Sequence, residues 1–343
     1  MKIWDYIADN KTYIIAEMSA NHGGDIDRAK EIVQMAKKAG ADCLKIQTYT
    51  ADTLTIDCRN QYFEIHNGLW DKQYLYDLYE KAATPWEWQE ELKTECENLG
   101  MDFLSTPFDK TAVDFLEQLG VDAYKIASFE IVDIPLISYV ASKGKTMILS
   151  CGMASKEEIK EAIEACWNQN NRKIILMKCC SEYPANLSNM NLVTISDMLE
   201  FFKIPVGLSD HSMGTLASIV GCSMGAVAIE KHFCLSREFK TEDSAFSLTP
   251  DEFEELVSSI RTVEKIKGNV LYGATENEEN SMVFRRSIFA IKDIEIGECF
   301  TEDNIRIIRP GYGLKPKYYT QLLGKRAGRT ISKGEPILYK DMR

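Results

Sequence analysis

Between Tyr13 and about Lys267 the chain alternates short apolar runs with longer amphipathic stretches, and this rhythm constrains the fold more than any single residue does. Eight runs read as strands: Tyr13–Met18, Cys43–Thr48, Asp102–Thr106, Ala123–Ser128, Thr146–Ser150, Lys173–Cys179, Pro205–Ser209 and Ala226–Lys231. Helix-like stretches such as Ile26–Ala39, Lys110–Leu119, Lys156–Trp167 and Asp251–Ile266 lie between or after them. Several open on an acid and close near a glycine, Asp25 with Gly40 and Asp109 with Gly120, as capped helices do. Eight such units in about 255 residues is the size of a TIM barrel, so the expected class is α/β, a (β/α)8 barrel. An open doubly wound sheet is the alternative.

Two stretches break the rhythm. Ala51–Ala83 is too long for a connector and carries Tyr62, Phe63, Trp70, Tyr74, Tyr76 and Tyr79. It follows the second strand at the expected active face, where it either stiffens the barrel rim or covers a substrate. From Asn269 the composition turns polar, with Glu276, Glu278 and Glu279 clustered. The expected organisation is therefore a barrel over 1–268, a linker over 269–283 and a compact domain of short strands over 284–343. That last domain holds a half-repeat, Ile294-Glu-Ile-Gly297-Glu and Ile331-Ser-Lys-Gly334-Glu, and a basic loop, Arg309-Pro-Gly-Tyr-Gly313.

Composition narrows the partners. At 45% hydrophobic and 27% charged residues, disordered and collagen-like classes are excluded. A net charge of −12 argues against nucleic acid or an anionic membrane as partner. No apolar run approaches the roughly 18 residues of a membrane span, and Met1–Tyr6 has no apolar signal core. Ten scattered cysteines without a CxxC pair read as free thiols of a cytoplasmic protein.

Polar residues gather where the strands end: Glu17 and His22; Lys45 and Gln47; Thr106; Lys125 and Ser128; Ser150; Lys178 and Ser181; Ser209, Asp210 and His211; Glu230, Lys231 and His232. In a parallel β/α fold such positions face the ligand crevice. Only four histidines occur, and His211 and His232 close matched segments, Gly207-Leu-Ser-Asp-His211 and Ile229-Glu-Lys-His232. The pair reads either as a divalent-metal site with open positions or as two buried, hydrogen-bonded imidazoles. Alternation turns Lys45 and Gln47 inward. Lys45 and Lys125, flanked by hydroxyls, read as an anion cradle, or as ion pairs to an inner carboxylate such as Glu17 or Glu230. Together these groups fit addition to a carbonyl: a metal polarising an aldehyde, a carboxylate such as Glu17 moving a proton, and lysines holding an anionic co-substrate. A Schiff-base lysine aldolase and a sugar-binding protein without turnover are the competing classes.

In order, Ile15-Ala-Glu-Met-Ser-Ala-Asn-His22, Leu44-Lys-Ile-Gln-Thr48, Ser105-Thr-Pro-Phe108, Tyr124-Lys-Ile-Ala-Ser128, Gly207-Leu-Ser-Asp-His211 and Ile229-Glu-Lys-His-Phe233 resemble the nonulosonic (sialic) acid synthases. The likeness continues through Arg309-Pro-Gly-Tyr-Gly313 into that family's antifreeze-like (SAF, β-clip) domain. Glu17-Met-Ser-Ala-Asn-His22, Tyr76-Asp-Leu-Tyr79, Ala83-Thr-Pro-Trp-Glu-Trp88 and Asp243-Ser-Ala-Phe-Ser-Leu248 are most similar to the pseudaminic branch. The resemblance implies condensation of phosphoenolpyruvate with an N-acylated amino-sugar aldehyde, releasing phosphate by C–O cleavage. For the pseudaminic branch the sugar is 2,4-diacetamido-2,4,6-trideoxy-L-altrose; the legionaminic and neuraminic branches use other sugars. It further implies His211 and His232 as ligands of Mn²⁺, Mg²⁺ or Co²⁺ and Glu17 as the acid/base carboxylate. Lys45, Thr106, Lys125, Ser128, Ser150 and Ser209 match the phosphoenolpyruvate cradle, and Gln47, Ser181, Tyr183 and Asp243 the sugar side. Arg309 matches an arginine offered to the other subunit of a domain-swapped homodimer.

Three departures stand out. Ser181 replaces a common Asn, Cys151 and Cys180 replace Thr, and Lys240-Thr-Glu242 replaces Gly-Pro before Asp243.

Overall fold

The computed structural model describes residues 1–66 and 68–342. Eight parallel strands close into a barrel: β1 Tyr13–Glu17, β2 Cys43–Thr48, β3 Asp102–Pro107, β4 Ala123–Ile126, β5 Thr146–Ser150, β6 Ile174–Cys179, β7 Val206–Asp210 and β8 Ala228–His232. Closure comes from β1 pairing with both β2 and β8, with Glu17 in register with Lys45 on one side and His232 on the other. The doubly wound alternative is thereby excluded. Strand ends differ from the expected ones by one or two residues. Met18 turns helical and ends β1, while β8 starts at Ala228 and runs on to His232.

The helices form where the sequence caps them. Asp25 accepts hydrogen bonds from Asp27 N and Arg28 N at the start of Ile26–Lys38. Asp109 does the same for Thr111 N and Ala112 N ahead of Lys110–Leu119, which ends on Gly120 at φ +73°. Each capping side chain satisfies amides that the first helical turn leaves unpaired. Outward strand residues such as Ile14, Ala16, Leu44 and Ile46 pack with Ala29, Ile32, Val33 and Ala36 of Ile26–Lys38 into the core between sheet and helices.

Inside the barrel the alternation has a second consequence. The lower inward positions are apolar: Tyr13, Ile15, Cys43, Leu104, Ala123, Ile148, Ile175 and Ala228 form one cluster, against which Ile3 of a short N-terminal helix, Ile3–Ala8, is buried. Two residues further along six of the strands the inward side chain becomes polar, whereas on β6 Ile175 is followed by Met177. Ile15 gives way to Glu17, Cys43 to Lys45, Leu104 to Thr106, Ala123 to Lys125, Ile148 to Ser150 and Ala228 to Glu230. The barrel is thus plugged below and chemically active above.

Ala51–Ala83 holds a one-turn helix, Ala51–Leu54, an isolated bridge between Glu64 and Tyr74, and the helix Leu75–Ala82. The chain divides into two compact units, Met1–Gly268 and Asn269–Arg343. The stretch expected as a plain linker contains the short helix Glu276–Glu279, held by a Thr275/Glu278 capping box, and a 3₁₀ turn over Asn280–Phe284. The second unit is built on an antiparallel pair, β9 Ser287–Ala290 with β10 Ile305–Ile308. Its half-repeat is structural: Ile294 and Ile331 exchange backbone hydrogen bonds of 2.8 and 2.9 Å. Gly297 and Gly334 follow at φ +85° and +88°, turns that side chains with a Cβ resist.

Candidate active site

The polar strand ends converge on one cavity of about 440 Å³ at the C-terminal mouth of the barrel. Glu17, Lys45, Gln47, Thr106, Lys125, Ser128, Ser150, Ser181, Tyr183, Ser209, His211, His232 and Asp243 all line it. Arg309 belongs to the second unit, where it is exposed just after β10. Among the other strand-end residues, His22, Lys178, Asp210 and Lys231 are not part of the lining. Lys178, for example, donates to the Cys179 carbonyl at 2.8 Å.

Four buried charges occupy the cavity floor. Lys45 Nζ lies 2.7 Å from Glu17 Oε2 and 3.5 Å from Glu230 Oε1. Lys125 Nζ lies 3.7 Å from Glu230 Oε2 and donates to Ser150 Oγ at 2.6 Å. Both lysines therefore do pair with the inner carboxylates. The balance of the cluster still favours an anion, because its members differ in charge state. Burial works against a charge on Glu230, but Lys125 and Lys45 overcome it and bring its pKa down to about 2. Burial raises the pKa of Glu17, with Lys45 only partly opposing it. Burial also lowers that of Lys125, while Lys45 is held above its ordinary value because Glu17 and Glu230 outweigh its desolvation. Whenever Glu17 holds a proton, which burial favours, two lysines face the single carboxylate of Glu230 across the floor. Hydroxyls surround it: Ser209 Oγ donates to Glu230 at 3.0 Å, and Gly152 N donates to Ser128 Oγ at 3.2 Å. A Cβ on Gly152 would sit 2.3 Å from Ser181 Oγ and 2.8 Å from Ser128 Oγ, so only glycine permits this packing.

The imidazole pair stands beside the charged floor. Ring centroids of His211 and His232 are 5.4 Å apart, a spacing that one ion can bridge at the roughly 2.1 Å of imidazole ligation. His211 Nδ1 lies 3.0 Å from the Cys180 carbonyl, which fixes the tautomer with Nε2 as the free lone pair. Tyr183 stacks on the same ring at 4.2 Å. His232 Nδ1 is buried without a hydrogen-bond partner, and burial together with His211 keeps this ring neutral by depressing its pKa well below 6.5. On His211 burial is outweighed by Cys179 and the Cys180 carbonyl, which raise its pKa. The orphaned buried nitrogen of His232 fits a divalent cation better than a satisfied structural pair. Among the described residues, no group of three or more His, Cys, Asp or Glu is arranged to hold an ion. Two imidazoles alone would hold such an ion, which would leave positions open for water or substrate.

Several lining residues escape a count of strand positions. Glu130 lies with the expected Ser128 on a 3₁₀ turn after β4, where period-two alternation no longer applies. Glu130 Oε2 is buried and unpartnered, and burial, aided by Asp133, pushes its pKa up to about 7. Leu54, Ile65, Trp70, Leu75, Leu78 and Tyr79 of the long aromatic segment form an apolar wall, so that segment lines the cavity as well as packing on the rim. Its aromatic richness was the available signal. Of the departures, Ser181 and Glu242 line the cavity, whereas Cys151 and Cys180 do not.

The sequence profile of the NeuB family matches residues 32–272, most of the barrel, and that of the SAF domain matches 285–343. This chain belongs to the NeuB family. Among its curated relatives is the pseudaminic acid synthase of Campylobacter jejuni, 43% identical over 343 residues and covering 100% of both chains. The pseudaminic acid synthase of Helicobacter pylori is 42% identical and covers 96% of this chain and 97% of its own. Of solved structures, an N-acetylneuraminic acid synthetase from Leptospira borgpetersenii, crystallised with citrate, superposes with a TM-score of 0.72 at 30% identity. That alignment covers 80% of this chain and 91% of the Leptospira chain. Membership of the NeuB family makes the chain an enzyme and gives the cavity its context.

Proposed function

We propose that the enzyme condenses phosphoenolpyruvate with 2,4-diacetamido-2,4,6-trideoxy-L-altrose and water, giving pseudaminic acid and phosphate. The observation that carries the reading is the cavity in which Lys45 and Lys125, facing Glu230 and ringed by hydroxyls, adjoin the imidazoles of His211 and His232. Full-length identity of 43% to a pseudaminic acid synthase supports the branch. The apolar wall of Ile65, Trp70, Leu78 and Tyr79 suits a sugar whose 6-position and acyl groups end in methyls.

In this mechanism Lys45 and Lys125 neutralise the carboxylate and phosphate of phosphoenolpyruvate, and Thr106, Ser128, Ser150 and Ser209 supply hydroxyls to the same anion. Gln47, Ser181, Tyr183 and Asp243 hold the sugar. A divalent ion on His211 and His232 (Mn²⁺, Mg²⁺ or Co²⁺) would supply polarisation of the aldehyde oxygen when bound. Glu17, whose carboxyl burial pushes toward its protonated form, gives a proton to that oxygen as C3 of phosphoenolpyruvate bonds to the aldehyde carbon. The resulting carboxylate then takes a proton from the water that adds at C2. Cleavage of the C2–O bond releases phosphate and leaves the 2-oxo acid. A Schiff base on Lys45 is disfavoured because its acidic neighbours hold its pKa above the ordinary value.

Apolar side chains exposed on the loops after β4 to β7, among them Phe129, Val132, Met153, Val193 and Leu216, support a second copy over the cavity mouth. In that dimer Arg309 of one chain serves the other chain's sugar. Free cysteines support a cytoplasmic setting. The deciding experiment is phosphate release from phosphoenolpyruvate and Mn²⁺ with the precursors of pseudaminic, legionaminic and neuraminic acids. The altrose derivative should exceed the other two by about tenfold or more in kcat/KM. Preference for another sugar would overturn the branch, and no release with any of them would overturn the reaction.

A further inference from the structure

Behind the imidazole pair, on the side of the strands away from the cavity, lies a second charged pair with no part in the mechanism above. Asp210 ends β7 and Lys231 is the penultimate residue of β8, and the two are cross-strand neighbours in register. Their exposures are 0% and 1%, and neither lines the cavity. Lys231 Nζ lies 2.9 Å from Asp210 Oδ2 and donates to the Ser212 carbonyl. Asp210 Oδ1 accepts from Ser212 N at 2.8 Å and Ser212 Oγ at 2.7 Å, and Oδ2 accepts from Ser218 Oγ at 2.6 Å.

This network holds the backbone on either side of His211 and immediately before His232. Ser212 is gripped at both its amide and its carbonyl, so the chain cannot turn at His211 without breaking bonds to a residue on the other strand. Strand β8 enters the same network through Lys231, one peptide from His232. A buried ion pair is a poor way to gain stability, since apolar residues of like volume do as well or better. What it gives here is a fixed separation between two strand ends.

We propose that Asp210 and Lys231 are positioning residues that set the spacing of His211 and His232 for a divalent cation. The inference rests on the metal reading of the imidazole pair, and the test separates the two. Mn²⁺ binding to the full chain is titrated by the loss of the free-ion EPR signal, for wild type and for the double variant Asp210→Asn/Lys231→Met. Removing both charges together leaves no uncompensated ion, so the double variant should unfold near the wild-type urea midpoint. Its Mn²⁺ affinity should fall by about 10–100-fold, the usual cost of losing groups that orient metal ligands. The KM for phosphoenolpyruvate should stay within about twofold, because its cradle lies on other side chains. Wild-type Mn²⁺ affinity in the folded double variant, or a parallel rise in that KM, would overturn the proposal. No Mn²⁺ binding by the wild type would overturn the metal reading and the proposal with it. Should the double variant not fold, Ser218→Ala decides: it removes one hydroxyl from Asp210 and should weaken Mn²⁺ binding several-fold, and unchanged binding overturns the proposal.

Discussion

His22 shows how far a single residue type can be read from sequence. It stands five positions after the catalytic candidate Glu17, yet its task differs from that of His211 and His232. Its ring is fully buried, with Nδ1 accepting from Gly24 N at 3.0 Å and Nε2 3.2 Å from Thr84 Oγ1, edge-on to Trp88. It pins the segment that follows the aromatic stretch onto the loop after β1. No sequence pattern links positions 62 residues apart, so this role was hidden, whereas the inward turn of Lys45 and Lys125 followed from alternation alone. Burial, with Arg28 adding to it, lowers the His22 pKa from 6.5 to about 4. The unfolded chain therefore binds the proton more readily. His22 contributes its stability in full above pH 6.5 and loses it as pH falls toward 4. Glu130, raised from 4.5 to about 7, acts with the opposite sign, which makes a comparison of variants necessary. Between pH 7 and pH 5 the wild type should lose roughly 2 kcal/mol more than His22→Gln does, read from urea midpoints at each pH. Equal losses would show that His22 is not held neutral.

At the scale of elements, strands and long helices were legible because burial imposes a period on them, while the short pieces were not. The eight strands were found to within one or two residues, and the caps at Asp25 and Asp109 fell as expected. The N-terminal helix Ile3–Ala8 went unread, since six residues are too few to display a helical period. Its place follows from the barrel's own logic. Parallel strands with apolar inward residues at their N-terminal ends leave an open, greasy bottom, and something must cover it. Ile3 does so with 0% exposure, and Trp4 Nε1 donates to Thr146 Oγ1 at 3.0 Å to fix the helix against β5. Ile3→Ala opens a cavity there and should cost about 3 kcal/mol in urea unfolding. Phosphate release at 25 °C should be unchanged, because the polar layer of Glu17 and Lys45 begins only above the apolar one. A fall in turnover without a shift in midpoint would mean that the plug reaches the site.

For the whole molecule the issue is how many chains make one site. The cavity in the first unit has a floor bearing two lysines, an imidazole pair and an apolar wall, but among the described residues no arginine lines it. The sugar's acyl carbonyls are acceptors, and a guanidinium offers them a planar, permanently charged donor. Arg309 is exposed in a compact unit of its own, on a loop that begins with Arg309-Pro310. A polar connecting stretch and a separate core let such a unit serve a neighbour as readily as its own chain. Sequence marked the connecting stretch by its acids but could not mark which barrel Arg309 meets, because that is a property of two chains. Complementation answers it. Glu17→Gln removes the proton donor from a barrel and Arg309→Ala removes the reaching side chain, so each variant alone should be nearly inactive. Mixed after partial unfolding and refolding, half of the pairs would be hybrids in the proposed dimer. If Arg309 crosses, each hybrid holds one intact site, formed by the barrel of the Arg309→Ala chain and the arginine of the other. Activity should then recover to about a quarter of wild type, as random pairing in a twofold dimer requires. If Arg309 serves its own barrel, every site in the mixture lacks one group, and the mixture stays as inactive as its components.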